Sequence, residues 1–185
     1  MPKICILSSA SGGGGGIAAK RVFEAIESVH TDKVDFLTMQ ELGSINQSIS
    51  PQLSGSNNIK YNTHFTIEYS DYEIRSDLID KLSIYDVINI HWCSYLISVN
   101  EIYYLASIGK KIVITMHDFY YALDGSHYPY TSQKYQTECF GRSDQLDYNK
   151  FPYYSPHLNF LAKRRLLRKS NVKIVAPSQF LISFF

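Results

Sequence analysis

The sequence predicts an α/β protein built on a doubly wound parallel sheet. Each of five short apolar runs is rich in Ile and Val, and nearly continuous apolar character is typical of parallel strands covered on both faces. The runs are Ile4 to Leu7, Val34 to Leu37, Val87 to Ile90, Ile112 to Thr115 and Val172 to Ala176. Segments with helical periodicity alternate with these runs, which predicts the doubly wound arrangement as one domain over residues 1–185.

Periodicity and end signals indicate three helices between the strands. The apolar face of the first helix, which follows the first strand, is Ala18, Val22, Ala25, Ile26 and Val29. The second begins after Ser98, which has capping-box spacing to Glu101, and stops at Gly109. Ser155 and Pro156 are the expected N-cap and first residue of the third.

Two stretches interrupt the alternation of strands and helices. Residues 43–58 are polar and rich in turn-forming residues, so a surface loop is expected there. Residues 119–154 form a long, Tyr-rich insertion after the fourth strand. An insertion of that length is usually functional or disordered, and its aromatic content favours function.

Composition excludes several classes of protein. With 45% hydrophobic and 19% charged residues the chain is globular, and a net charge of +1 argues against nucleic-acid binding as its main role. Three cysteines do not suggest a disulfide framework, because Cys5 and Cys93 lie in predicted strands as small buried apolar residues. The cytoplasm is therefore the expected compartment, and neither a signal peptide nor a membrane span is expected from the apolar runs of the sequence.

A run of glycines, Gly12 to Gly16, lies between the first strand and the first helix. Glycine there lets a ligand approach the backbone, and a helix N-terminus offers free N–H groups to an anion. The dinucleotide pattern G-x-G-x-x-A fits loosely, but Asp35 comes too early in the second strand to be its ribose-binding acid. No P-loop motif is present, and a flexible turn is the alternative interpretation.

Two predicted strands end in histidine. His117-Asp118 follows the fourth strand, at the sheet edge where doubly wound proteins bind ligands. The alternative, equally weighted from the residues alone, is a structural histidine bonded to Asp118. His91-Trp92 follows the third strand; this pair could line a sugar site, although core packing of a hydrogen-bonded histidine is the favoured interpretation.

Four motifs, in order along the chain, resemble those of glycosyltransferase family 4, particularly bacterial members that build cell-surface polysaccharides such as colanic acid. Residues 13–22 are similar to G-G-A-A-x-A-A-x-R-L, and residues 86–92 (DVINIHW) to D-I-I-N-L-H-W. His117-Asp118, with Gly125, His127 and Tyr128, resembles H-D-M-W-x-F-T-G-G-C-H-Y. Residues 174–178 (IVAPS) match the I-V-A-P-S strand that closes the family's N-terminal domain.

The resemblance implies a GT-B architecture, in which two Rossmann-like domains flank the active site. Residues 1–185 would be the N-terminal, acceptor-side domain, and the donor-binding C-terminal domain with its E-x7-E motif would lie beyond them, so transfer by this chain alone is not expected. The reaction would be retaining transfer from a nucleotide-sugar, such as a GDP- or UDP-sugar, to a glycan or lipid-linked saccharide, without metal or cofactor. The implied catalytic residues are His117 and Asp118; the implied substrate-binding residues are Gly13, Gly14, Gly15, His91, Trp92, His127 and Tyr128.

The sequence departs from the family pattern at two places. Of the cysteines common in the family's insertion only Cys139 is present, with Ser126 and Ser143 near the others, and one cysteine cannot form a structural zinc site. Gly15-Gly16 replaces Ala-Ala, which is expected to loosen the loop and weaken the start of the helix.

The predicted third helix is strongly basic between Lys163 and Lys169. This helix could contact anionic lipid at the inner face of the plasma membrane, but a solvated surface is the favoured interpretation. Two alternatives to an enzyme domain of this family remain open at the level of sequence. One is a non-catalytic remnant or a module of the same fold that binds a glycan or a partner chain, and the other is a nicotinamide-dependent oxidoreductase.

Overall fold

A computed structural model describes residues 2–29, 33–43, 74–123, 125, 127 and 156–179. Five strands form one sheet in the order β2-β1-β3-β4-β5, and every neighbouring pair is parallel. The strands are β1 (Ile4–Leu7), β2 (Val34–Leu37), β3 (Val87–Ile90), β4 (Lys111–Thr115) and β5 (Val172–Val175). The predicted Rossmann-like, doubly wound α/β fold is thereby confirmed.

The helices of the described residues are α1 (Gly13–Val29), α2 (Met39–Leu42), α3 (Ser76–Ser83), α4 (Val99–Ser107) and α5 (Pro156–Leu167). The predicted ends of α4 are confirmed. Ser98 Oγ accepts the Glu101 N–H at 3.1 Å, the Glu101 carboxylate accepts the Ser98 N–H at 2.8 Å, and Gly109 has a φ of +90°. Helix α5 begins at Pro156 as predicted, whereas Ser155 lies outside the described residues.

Helix α1 covers β1 and β2 on one face of the sheet. Its inward stripe is Ala19, Val22, Phe23 and Ile26, which shares only Val22 and Ile26 with the predicted face. Of the predicted face, Ala25 is exposed and Val29 is 78% exposed. A Cβ on Gly16 would collide with the backbone of Ala10, so glycine is required where α1 approaches the loop after β1.

The opposite face of the sheet carries the larger core. Cys5 and Leu7 of β1, Ile88 and Ile90 of β3, and Ile112 and Ile114 of β4 pack there against α3, α4 and α5. Cys93, predicted within a strand, instead follows β3, although it is buried as expected. Among the described residues, no helix is long and apolar enough to cross a membrane.

The order of the strands creates a switch point between β1 and β3, since the chain runs from β1 to β2 in one direction and from β3 to β5 in the other. Crevices of this kind bind ligands at the carboxyl ends of the strands. Three hydrogen bonds join the loops that leave β1 and β3: Ser9 N–H and Ser8 Oγ donate to the Trp92 carbonyl at 2.6 and 3.4 Å, and Ser9 Oγ donates to the Ser94 carbonyl at 2.7 Å. The residues that follow these strands are therefore held side by side.

Candidate functional site

The glycine run divides into an open part and a closely packed part. Gly12, Gly13 and Gly14 are exposed, and a Cβ on any of them would have no atom within 4 Å. Gly13 also has a φ of +70°, which favours glycine. A Cβ on Gly15, by contrast, would lie 2.7 Å from Trp92 Cβ and 3.7 Å from His117 Cδ2. From Gly13 onward the run is therefore the start of α1 itself, and Gly15 lies against the residues that follow β3 and β4.

His91 and His117 meet at the ends of their adjacent strands. His91 Nδ1 lies 3.0 Å from His117 Nε2, and the rings are 5.2 Å apart between centroids. His91 is only 2% exposed, and its Nε2 has no hydrogen-bond partner among the described residues. The favoured expectation of a hydrogen-bonded core histidine is thus met only in part, since His91 is buried and bonded through Nδ1 but its Nε2 has no partner among the described residues.

Asp118 does not pair with the histidine beside it. Its Oδ2 accepts a hydrogen bond from His127 Nδ1 at 2.6 Å, and its Oδ1 accepts the Tyr120 N–H at 2.8 Å. Both Asp118 and His127 are buried. The alternative of a structural His117 bonded to Asp118 is wrong, because the carboxylate holds the loop after β4 closed through His127.

A column of stacked groups crosses the site. The His127 ring lies between Trp92, at 4.6 Å and 11°, and Tyr120, at 5.5 Å and 19°. Lys163 Nζ lies 3.4 Å from the centroid of the Tyr120 ring and donates to the carbonyls of Tyr120 and Leu123 at 2.7 and 3.2 Å. The column connects the start of α1, through Trp92, with α5.

These residues line one cleft at the carboxyl edge of the sheet. His91, Trp92, His117, Asp118 and His127 all border it. Tyr128 lies outside the described residues, as do Cys139, Ser126 and Ser143. The structure therefore brings together the predicted residues that follow β3 and β4, with Gly15 against two of them and Gly13 and Gly14 at the adjoining helix start.

Burial determines the electrostatics of the histidine pair. Desolvation first and the neighbouring His117 second lower the pKa of His91 to about 4. The pKa of His117 is also lowered by burial, an effect that the nearby Asp118 carboxylate opposes. Both histidines are therefore neutral at neutral pH, and each ring carries one proton.

Lys163 and Tyr120 belong to the site although the sequence did not indicate them. Lys163 was expected on a basic surface, but it is completely buried and its ammonium group binds two carbonyls. Its helical spacing indicates the buried face of α5, because Asn159, four residues before it, and Leu166, three residues after it, are buried on the same face. Tyr120 lies at the start of an insertion whose individual tyrosines could not be ranked by sequence.

Asp35 takes no part in the cleft. It is the second residue of β2, and its carboxylate accepts a hydrogen bond from the Tyr85 hydroxyl at 2.7 Å. A ribose-binding acid of a dinucleotide site would follow the end of this strand, so the position of Asp35 argues against the nicotinamide-dependent alternative. Among the described residues, no three His, Cys, Asp or Glu side chains are grouped to hold a metal ion.

Comparison of the chain with protein-family models, with curated proteins and with solved structures finds no match. The geometry of the cleft and the four sequence motifs are therefore the grounds for assigning a function.

Proposed function

We propose that this chain is the acceptor-side domain of a retaining GT-B glycosyltransferase that transfers a sugar from a nucleotide-sugar to a cell-surface glycan or lipid-linked saccharide. One observation carries the proposal. Residues from three of the four family-4 motifs come together at the carboxyl edge of the sheet: His91, Trp92, His117 and His127 border one cleft, and Gly15 packs against Trp92 and His117. Ligand sites of doubly wound proteins occur at this place.

The start of α1 suits the charged part of such a donor. The backbone of Gly13 and Gly14 is exposed and unobstructed by side chains, and the first N–H groups of a helix have no intrahelical partner. These groups and the helix dipole stabilise an anion by a few tenths to about 1 kcal/mol at an exposed site. In the proposed enzyme they would contact the diphosphate of a GDP- or UDP-sugar, and a second domain would hold the nucleotide.

The cleft behind α1 suits the sugar. Trp92 offers a half-buried aromatic surface, and His117 offers a polar ring beside it. In retaining transfer, positive charge develops on the sugar ring and negative charge on the leaving diphosphate, so positioned dipoles contribute most of the stabilisation. A neutral His117 can hydrogen-bond the sugar without adding positive charge beside the developing oxocarbenium ion. Asp118 then acts through His127 by fixing the loop, and it is a positioning residue in this proposal.

Contact with a membrane surface would place the domain at the cytoplasmic side, near a lipid-linked acceptor. Arg164, Arg165 and Arg168 are exposed on or just after α5 and are its candidates for binding anionic lipid, whereas the buried Lys163 is not. Co-sedimentation with phosphatidylglycerol vesicles should fall when all three arginines are changed to glutamate. Sedimentation unaffected by that reversal would remove the membrane contact from the proposal.

The alternative is a non-catalytic module of the same fold that binds a glycan or a partner chain. Coding sequence for an E-x7-E domain directly after residue 185 would favour the enzyme, and its absence would favour the module. The proposed role of the cleft is tested in the two-domain enzyme with a panel of nucleotide-sugars. His117→Ala should lower kcat by about 100-fold or more while the far-UV spectrum is unchanged, and His157→Ala, at an exposed position, should not.

Two results would overturn the proposal. Wild-type turnover in the His117→Ala enzyme would remove His117 from the catalytic site. Robust sugar transfer by the 185-residue chain alone would contradict the division of the active site between two domains.

A further inference from the structure

The hydrogen bond between His91 and His117 restricts which nitrogen of each ring carries the proton. A bond between two neutral imidazoles needs one N–H donor and one bare nitrogen. His91 Nδ1 and His117 Nε2 are 3.0 Å apart, so either ring can be the donor by distance alone. The choice fixes the state of the other two nitrogens, His91 Nε2 and His117 Nδ1.

The environment of His91 Nε2 distinguishes the two arrangements. This atom is buried and has no hydrogen-bond partner among the described residues. If His117 were the donor, His91 would carry its proton on Nε2, and an N–H group would be buried without an acceptor. If His91 is the donor through Nδ1, its Nε2 is a bare nitrogen. Unpaired N–H groups are rarer in protein interiors than underused acceptors, since their positive hydrogen is costly to desolvate.

We infer that His91 is a positioning residue that holds His117 in its Nδ1–H tautomer, so that His117 presents a neutral hydrogen-bond donor to an oxygen atom of the substrate. His117 Nε2 is occupied by His91, which leaves Nδ1 as the ring nitrogen that remains for a ligand. That the bound ligand is a substrate rests on the function proposed above, whereas the tautomer of His117 does not. The group that this donor recognises is a hydroxyl, carbonyl or phosphate oxygen.

A His117 in this tautomer can act at the cleft as a hydrogen-bond donor but not as a general base. A general base must offer a bare nitrogen to the proton that it removes. In the inferred arrangement the bare nitrogen of His117 faces His91, and the nitrogen that remains is already protonated. Asp118 is not hydrogen-bonded to His117 as a relay partner: its Oδ2 accepts from His127 Nδ1 and its Oδ1 from the Tyr120 N–H. His117 therefore binds and orients.

The tautomers are read from two-bond 1H–15N NMR spectra of the 15N-labelled 185-residue chain at neutral pH, with histidine signals assigned by single substitutions. We expect both His91 and His117 to show a protonated Nδ1 and a bare Nε2. A proton on Nε2 of either ring would overturn the inference. Because the measurement needs no sugar transfer, failure of the proposed function would leave this result intact, and an Nε2–H tautomer would leave the proposed function intact.

Substitution of His91 tests whether this residue determines the tautomer of His117. His91→Leu removes the donor, so His117 should lose the exclusive Nδ1–H signal and show protonation at Nε2. His91→Gln keeps an amide donor, so His117 should retain more of its Nδ1–H state than in His91→Leu. If the leucine variant does not fold, the glutamine variant still provides the test. His157→Leu, at an exposed position on α5, is the matched control and should leave the His117 signals unchanged. A His117 tautomer that is the same in both His91 variants would contradict a positioning role.

Discussion

Asp118 accepts a hydrogen bond from His127, nine residues further along the chain, at 2.6 Å between Oδ2 and Nδ1. Both side chains are buried, and the Phe119 N–H adds a bond to the His127 carbonyl at 3.0 Å. The two bonds close the beginning of the long insertion into a loop directly after β4. The His127 ring is thereby placed against Trp92, and His117 is left to pair with His91.

Asp118→Asn should destabilise the protein, because the substitution removes the charge that accepts the His127 hydrogen bond. Bonds to charged groups contribute about 1.5–3 kcal/mol, so we expect the free energy of unfolding in urea to fall by about 2 kcal/mol. Asp80→Asn, at an exposed position on α3, is the control and should change it by less than about 0.5 kcal/mol. Equal stability of the two variants would show that the Asp118–His127 bond contributes little.

Gly15→Ala should disturb the site, whereas Gly14→Ala should not. The new Cβ at position 15 would lie 2.7 Å from Trp92 Cβ, so the indole must move, and overpacking of this kind costs about 1–3 kcal/mol. A Cβ at position 14 has open space, and replacing a helical glycine by alanine stabilises by up to about 1 kcal/mol. Trp92 is the only tryptophan, so its fluorescence reports the difference directly. An unchanged emission spectrum in Gly15→Ala would contradict the close contact.

The strands could be predicted from sequence because buried or half-buried apolar residues recur in each of them, although only β1 is buried at every position and β5 carries the exposed Lys173. The rotation of α1 could not, because the alternative stripes through Ala18 and Ala19 are both apolar. The observed stripe runs through Ala19, and the choice between the two depends on how α1 packs on β1 and β2. The glycines that were expected to loosen the loop are, at positions 15 and 16, the residues that allow α1 to pack closely.

The site was predictable as far as topology determines it. His91 and His117 end adjacent parallel strands, so their meeting at one edge follows from the order of the sheet. The partner of Asp118 was not predictable, because it depends on how the insertion folds back rather than on neighbours in sequence. The surface position predicted for Lys163 is wrong, because it lies among four other basic residues. Only its helical spacing from Leu166 indicates that it is buried.

Stability should decrease as the pH falls from about 6.5 to about 4. The pKa of His91 is lowered to about 4 in the native protein by burial first and by His117 second, whereas an unperturbed histidine titrates near 6.5. Between these values the unfolded chain binds a proton that the native protein does not, so protonation favours unfolding. The stabilising effect is complete above about 6.5 and is lost progressively below it. The lowered pKa of His117 acts in the same direction.

Urea unfolding at a series of pH values measures this dependence. His91→Gln removes one of the two histidines and should make the decline between pH 6.5 and 4 shallower, whereas the exposed His157→Gln should leave it unchanged. If the free energy of unfolding of His91→Gln declined with pH as steeply as that of the wild type, the acid sensitivity would have to come from other groups.

Lys163→Met should destabilise the protein far more than Arg164→Met, although the two residues are adjacent on a basic helix. Lys163 is completely buried, and its ammonium group binds the carbonyls of Tyr120 and Leu123; in the methionine variant both carbonyls lose this partner. Loss of a buried charged donor is expected to lower the free energy of unfolding by about 2–4 kcal/mol. Arg164 is exposed, and its substitution should cost less than about 0.5 kcal/mol. Urea unfolding followed by Trp92 fluorescence measures both. Similar stabilities of the two variants would mean that Lys163 does not fasten the loop after β4 to α5.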